Sequence, residues 1–113
     1  YAKSPFYEVL MPDIIALLGE KRTILWELNL GTLELFERWL DVDSKWELSE
    51  KFELEARGLD LRNLSPKVPS TLEFVKYSQV FQEKIGFQNN LSALDLFFNL
   101  GRSSWDYLTE LKL

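Results

Sequence analysis

Gly86-Phe87-Gln88-Asn89-Asn90-Leu91-Ser92-Ala93-Leu94-Asp95-Leu96-Phe97-Phe98-Asn99-Leu100-Gly101 is the stretch on which the reading of this chain turns. From about Asn90 to Leu100 it reads as a helix between two glycines. Asn90 suits an N-cap, because its side chain can accept from the free N–H groups of a first turn. Gly101 suits the position just past the end, because it takes a positive φ without a Cβ penalty. Almost every residue between them is apolar, the pattern of a helix buried on all sides. The exceptions are Ser92, Asp95 and Asn99, spaced i, i+3, i+7, which places them on one face. A polar stripe on a buried helix needs partners. Those partners are either caps and backbone hydrogen bonds that order the neighbouring loop, or a ligand.

Working outward, Tyr77 and Gln79 precede this stretch and can join the stripe, and Lys76–Phe81 reads as a short strand or one helical turn. Beyond Gly101, Ser103 or Ser104 caps a last helix from Trp105 to Leu111, with Trp105, Leu108 and Leu111 at helical spacing. At the other end, Ser4-Pro5 is a helix start, serine as N-cap and proline at the first helical position. Phe6, Val9, Leu10, Ile14, Leu17 and Leu18 follow, with Pro12 either kinking the helix or opening a second segment at Asp13. A second helix is predicted from Arg22 or Thr23 to about Leu40, its buried face marked by Leu25, Leu28, Phe36 and Trp39. Gly31 weakens it by about 1 kcal/mol relative to alanine, and Thr32 offers a restart cap. The short connector implies an antiparallel helical hairpin. Trp46 and Leu48 alternate with Glu47 and Ser49, which is strand periodicity. Gly58–Ser70, with Pro66 and Pro69, reads as an ordered loop. The expected fold is therefore α+β and mainly α, one domain over residues 1–113: a helical hairpin, a short mixed middle segment and a C-terminal helical pair.

Composition restricts the chemistry. The 113 residues are 46% hydrophobic and 14% aromatic, a core-forming balance. No apolar run is long enough for a membrane span, which makes a cytoplasmic protein the expectation. There is no cysteine and no histidine. Thiol chemistry and every Ser-His or Cys-His arrangement are therefore excluded, and acid–base work falls to Asp, Glu, Lys or Tyr. The net charge of −5 argues against nucleic acid as a partner. Asp41-Val42-Asp43-Ser44-Lys45 opens like a calcium loop, but Trp46 stands where glycine is needed and Phe52 where a bidentate glutamate is needed. No glycine-rich phosphate loop occurs, and neither a metal site nor a cofactor is expected. The acidic stretch from Glu34 to Glu55 reads most simply as a solvated face. At helical spacing the tryptophans read as core or interface.

The residues also carry a resemblance. Tyr77-x-Gln79-Val80-Phe81, followed by Gly86-Phe87-x-x-Asn90-Leu91-Ser92-x-Leu94-Asp95-Leu96-x-Phe98-Asn99, resembles the C-terminal signature of the WbqC-like family. Leu59-Asp60-Leu61-Arg62 with Ser65-Pro66-Lys67 is similar to that family's connecting segment. Ser4-Pro5-Phe6-Tyr7 and Leu25-x-x-Leu28-Asn29-Leu30 are similar to its helical middle. Asn89 departs from the pattern, which has proline there. The resemblance implies a role in bacterial surface-polysaccharide (O-antigen) biosynthesis, in an enzyme acting on an activated or amino sugar. It also implies a further N-terminal part, an expectation in keeping with the start at Tyr1, and hence contact with that part or a homo-oligomer. Read this way, Asp95 is the candidate acceptor or general base, and Tyr77, Gln79, Asn90, Ser92 and Asn99 face a sugar or sugar nucleotide. The rival reading is a non-catalytic helical interaction module, which predicts exposed apolar surface.

Overall fold

A computed structural model describes residues 1–55, 58, 60, 62 and 73–111. Its helices are α1 (Tyr7–Gly19), α2 (Leu25–Leu40), α3 (Gln82–Ile85), α4 (Ala93–Leu100) and α5 (Ser104–Glu110), with a 3-10 turn at Gly101–Ser103 joining the last two. No strand occurs among the described residues, which corrects the α+β expectation to an α-helical fold. The alternation at Trp46 and Leu48 is real, but a strand needs a partner edge and the described residues offer none. Residues 42–49 are neither helix nor strand and are almost wholly exposed. Tyr77 and Gln79 likewise lie on a segment that is neither helix nor strand.

α1 and α2 pack side by side and antiparallel. Leu17, late in α1, approaches Gly31 in mid-α2, while Asp13, one turn earlier, accepts a hydrogen bond from Trp39 Nε1 at 2.9 Å, two turns later in α2. Pro12 is accommodated within a continuous α1, so no second segment starts at Asp13. α1 starts at Tyr7 and has no side-chain cap. Ser4 does not cap; it is buried, and its carbonyl accepts from the Tyr7 N–H. The buried residues of α2 are Gly31, Leu35 and Trp39, one stripe at i, i+4, i+8. Leu25, expected on that stripe, is 71% exposed. Thr32 does not restart the helix; its hydroxyl donates to the Leu28 carbonyl within an unbroken α2. α2 closes on Asp41 in the left-handed region (φ 57°), where the Asp41 and Val42 N–H groups bond the Arg38 and Glu37 carbonyls. Arg102 then ties this corner to the C-terminal pair through a 2.8 Å ion pair with Asp41.

The core lies where α4 meets the hairpin. Leu35, Trp39 and Phe97 form its centre, with Leu10, Ile14 and Leu17 of α1 packed against them. Phe97 is 1% exposed, and five consecutive residues, Asp95–Asn99, are buried. The Phe97 ring meets Trp39 edge-on with centroids 5.2 Å apart and tilts against Phe36 at 4.9 Å. Only one of the four tryptophans, Trp39, is buried; Trp26, Trp46 and Trp105 are exposed. The N-terminal segment crosses the end of α4: the Phe6 N–H bonds the Phe98 carbonyl at 3.1 Å, and the Tyr1 ring packs on Phe98 at 5.0 Å. Gly101 sits beneath it with φ 56°. A Cβ there would lie 2.7–2.8 Å from the rigid Phe6 ring, so both backbone conformation and space require glycine. α5 turns Ser104 and Tyr107 inward, whereas Trp105 and Leu108 face out.

Candidate functional site

Asn90 is not the N-cap of α4. Ser92 is: its hydroxyl accepts from the Leu94 N–H at 3.3 Å, and the Asp95 N–H bonds the Ser92 carbonyl. Asn90 instead turns the chain into the helix with φ 52°, a conformation asparagine tolerates better than most residues. One turn along α4, Asp95 points away from solvent. Its Oδ2 accepts from the Tyr77 hydroxyl at 2.6 Å and, more distantly, from Gln79 Nε2 at 3.5 Å. Asn99, one turn further, donates from Nδ2 to the Asp95 carbonyl at 2.7 Å. Ser92, at the cap, is exposed, whereas Asp95 and Asn99 are buried, and the three do different work. Ser92 and Asn99 are engaged with main chain; Asp95 alone reaches across to another segment.

That segment is held in place by Gln79. Its side-chain amide donates to the Gln88 carbonyl at 2.7 Å and accepts from the Gln88 N–H at 2.9 Å. This pair imitates one rung of a β-ladder and fixes the extended residues 77–80 against the loop before α4. Tyr77 is fixed further by edge-on contacts with Phe87 and Tyr107. Burial pushes the Tyr77 phenol well above its usual pKa, and donation to Asp95 pushes it in the same direction; the contact with Gln79 opposes this. The Tyr1 phenol is raised by burial, then by the charge and hydrogen bonding of Asp95. Asp95 thus faces the Tyr77 phenol, which remains a protonated donor through the neutral range.

Two hollows flank this group. The larger, about 280 Å³, is lined by the polar side chains of Tyr1, Gln79, Gln82, Gln88 and Asp95, with Val80, Phe81, Ile85 and Leu91 as its apolar wall. The smaller, about 130 Å³, lies against Tyr77, Asn90 and Ser92 and runs towards Tyr107 and Leu108. Leu91 borders both. The six residues singled out in the sequence are therefore not one site. Asp95 and Gln79 line the larger hollow, Tyr77, Asn90 and Ser92 line the smaller, and Asn99 lines neither. Sequence reasoning missed Tyr1, Gln88 and the apolar wall. Gln88 lies within the decisive stretch, but Tyr1 is distant in sequence and has no local pattern to reveal it.

The acidic middle is gathered differently. Arg62 bonds Asp60 through Nε at 2.9 Å and Nη2 at 2.6 Å, reaches the Glu53 carbonyl at 2.6 Å, and lies over the Phe52 ring. This arrangement holds the Asp60 carboxyl below its usual pKa. Among the described residues no three acidic side chains are gathered to hold a metal ion, and no helix is long and apolar enough to cross a membrane.

Comparison with protein-family models, curated proteins and solved structures finds no match to this chain.

Proposed function

We propose that this chain supplies a sugar-binding wall to a WbqC-like enzyme of bacterial surface-polysaccharide assembly, acting in the cytoplasm on an activated or amino sugar. The observation that carries the reading is a nearly buried carboxylate, Asp95, on the wall of a hollow large enough for one small ring and otherwise lined by amides, one phenol and apolar surface. In this reading Asp95 accepts a ligand hydroxyl or amine proton, Tyr77 and Tyr1 orient the carboxyl, and Gln79 positions Tyr77. Ser92 and Asn99 support the helix and do not touch the ligand. Isothermal titration with amino sugars and sugar nucleotides, on the wild type and on Asp95→Asn, tests it. Asparagine keeps an acceptor for Tyr77, so the variant is expected to fold and to lose binding. Failure of the whole panel to bind the wild type contradicts the proposal.

A second reading has its own observation. Val9 (70% exposed) and Leu18 (65% exposed) on α1, with Ile24, Leu25 and Trp26 at the start of α2, leave much of the hairpin's apolar surface in solvent. Surface of this kind suits an interaction module. Light scattering at rising concentration tests its simplest form. Self-association abolished by Leu18→Glu with Leu25→Glu supports it, and a monomer throughout removes it.

A further inference from the structure

The residues around Asp95 discriminate between the two ligand chemistries that an activated or an amino sugar would bring. The ion pairs among the described residues use Asp13, Glu20, Asp41 and Asp60. Asp95 is more buried than any of these. Its partners among the described residues are neutral donors, one phenol at 2.6 Å and one amide at 3.5 Å. The amide is already committed to the Gln88 carbonyl. No lysine or arginine stands among the described residues lining the larger hollow. A buried carboxylate with neutral donors alone keeps most of its desolvation penalty, and a cation brought to it relieves that penalty. A phosphate brought to the same place meets a like charge and, among the described lining residues, no lysine or arginine to offset it, which disfavours it. Size points the same way. A hollow of about 280 Å³ is at the small end of ligand sites and holds one ring, not a nucleotide.

We infer that the hollow beside Asp95 is selective for a compact primary ammonium, whose apolar face rests on Val80, Phe81, Ile85 and Leu91, and against phosphate-bearing ligands. This rests on the site reading above and narrows it from activated or amino sugars to the amine itself. The ammonium donates to the Asp95 carboxylate, and the ring carbons cover the apolar wall.

Matched probes separate the two ideas: cyclohexylamine against cyclohexanol, and glucosamine against glucose and glucosamine 6-phosphate, titrated into wild type and Asp95→Asn. The expected result is that each amine binds roughly tenfold or more tighter than its neutral partner, that the phosphate weakens binding, and that Asp95→Asn erases the preference. If glucose or the phosphate binds as well as glucosamine, ammonium selectivity is wrong while the sugar reading stands. If cyclohexylamine binds through Asp95 and no sugar does, the selectivity stands and the sugar reading falls. If no probe binds, both fall. Ile85→Trp, on an exposed position of the hollow's rim, provides a second test independent of the carboxylate: it fills the space and is expected to block cyclohexylamine.

Discussion

α1 and α4 are almost equally apolar in composition, yet they meet opposite fates. Five of the eight residues of α4 are buried, whereas none of the thirteen of α1 is. α4 is enclosed by the hairpin on one side, the N-terminal segment across its end and the Tyr77–Gln79 segment along its polar stripe. α1 is contacted along Leu10, Ile14 and Leu17 and at Tyr7 against Phe98, while Val9, Ile15 and Leu18 face solvent. Hydropathy sets what a helix can bury, and the neighbours set what it does bury. The difference also locates function. The enclosed helix can hold a carboxylate away from water, and the open one offers only surface.

Substitutions can break this contrast, beginning with the most severe. Phe97→Ala removes the most enclosed ring of α4 and is expected to lose about 3–5 kcal/mol of stability in urea denaturation. The parallel change Val9→Ala on α1 should stay within about 0.5 kcal/mol of wild type, since its side chain is already wet. Two glycines, Gly101 at the end of α4 and Gly31 within α2, divide in the same way. Gly101→Ala adds a Cβ against the rigid Phe6 ring at positive φ, and a loss of about 2–4 kcal/mol is expected. Gly31→Ala meets the ends of Leu17 and of Arg22, whose guanidinium bonds the Glu27 carbonyl and Glu20; such side-chain ends give way more readily than a ring. The helix propensity it gains offsets that cost, and stability should remain within about 1 kcal/mol of wild type. Tyr77→Phe leaves the Asp95 carboxylate without its shortest hydrogen bond and should lower stability by about 1–3 kcal/mol.

The smallest effect is one of pH. Tyr77, Tyr1 and Tyr107 all have folded-state phenol pKa values raised above the unfolded value, so the protonated form is favoured on folding. Their contribution is complete below the unfolded value near pH 10 and is lost as pH rises from there through the higher folded values. Thermal melts should therefore show a decline beginning at about pH 10, and Tyr77→Phe should reduce its slope.

Much of this contrast could be read from the letters. The glycine boundary at Gly101, the buried character of α4 and the hairpin all follow from spacing. Three features did not. The period-two pattern at Trp46 and Leu48 is a local signal, but a strand is a pairwise object, and nothing in the letters shows whether a partner exists. Asn90 and Ser92 are both good cap residues; Asn90 has a positive φ, and Ser92 caps the helix. The stripe announced a need for partners without naming them. Asn99 found the Asp95 carbonyl one turn back, while Asp95 found Tyr77 on another segment, a contact that only the fold creates.

Asp95 either looks into a ligand-sized hollow or serves only as a tie between segments, and amide chemical-shift mapping with glucosamine distinguishes the two. Saturable shifts at Gln79, Ile85, Gly86, Gln88 and Leu91, absent in Asp95→Asn, with α1 unmoved, are expected for the hollow. Shifts confined to the hairpin, or identical in wild type and Asp95→Asn, would contradict it.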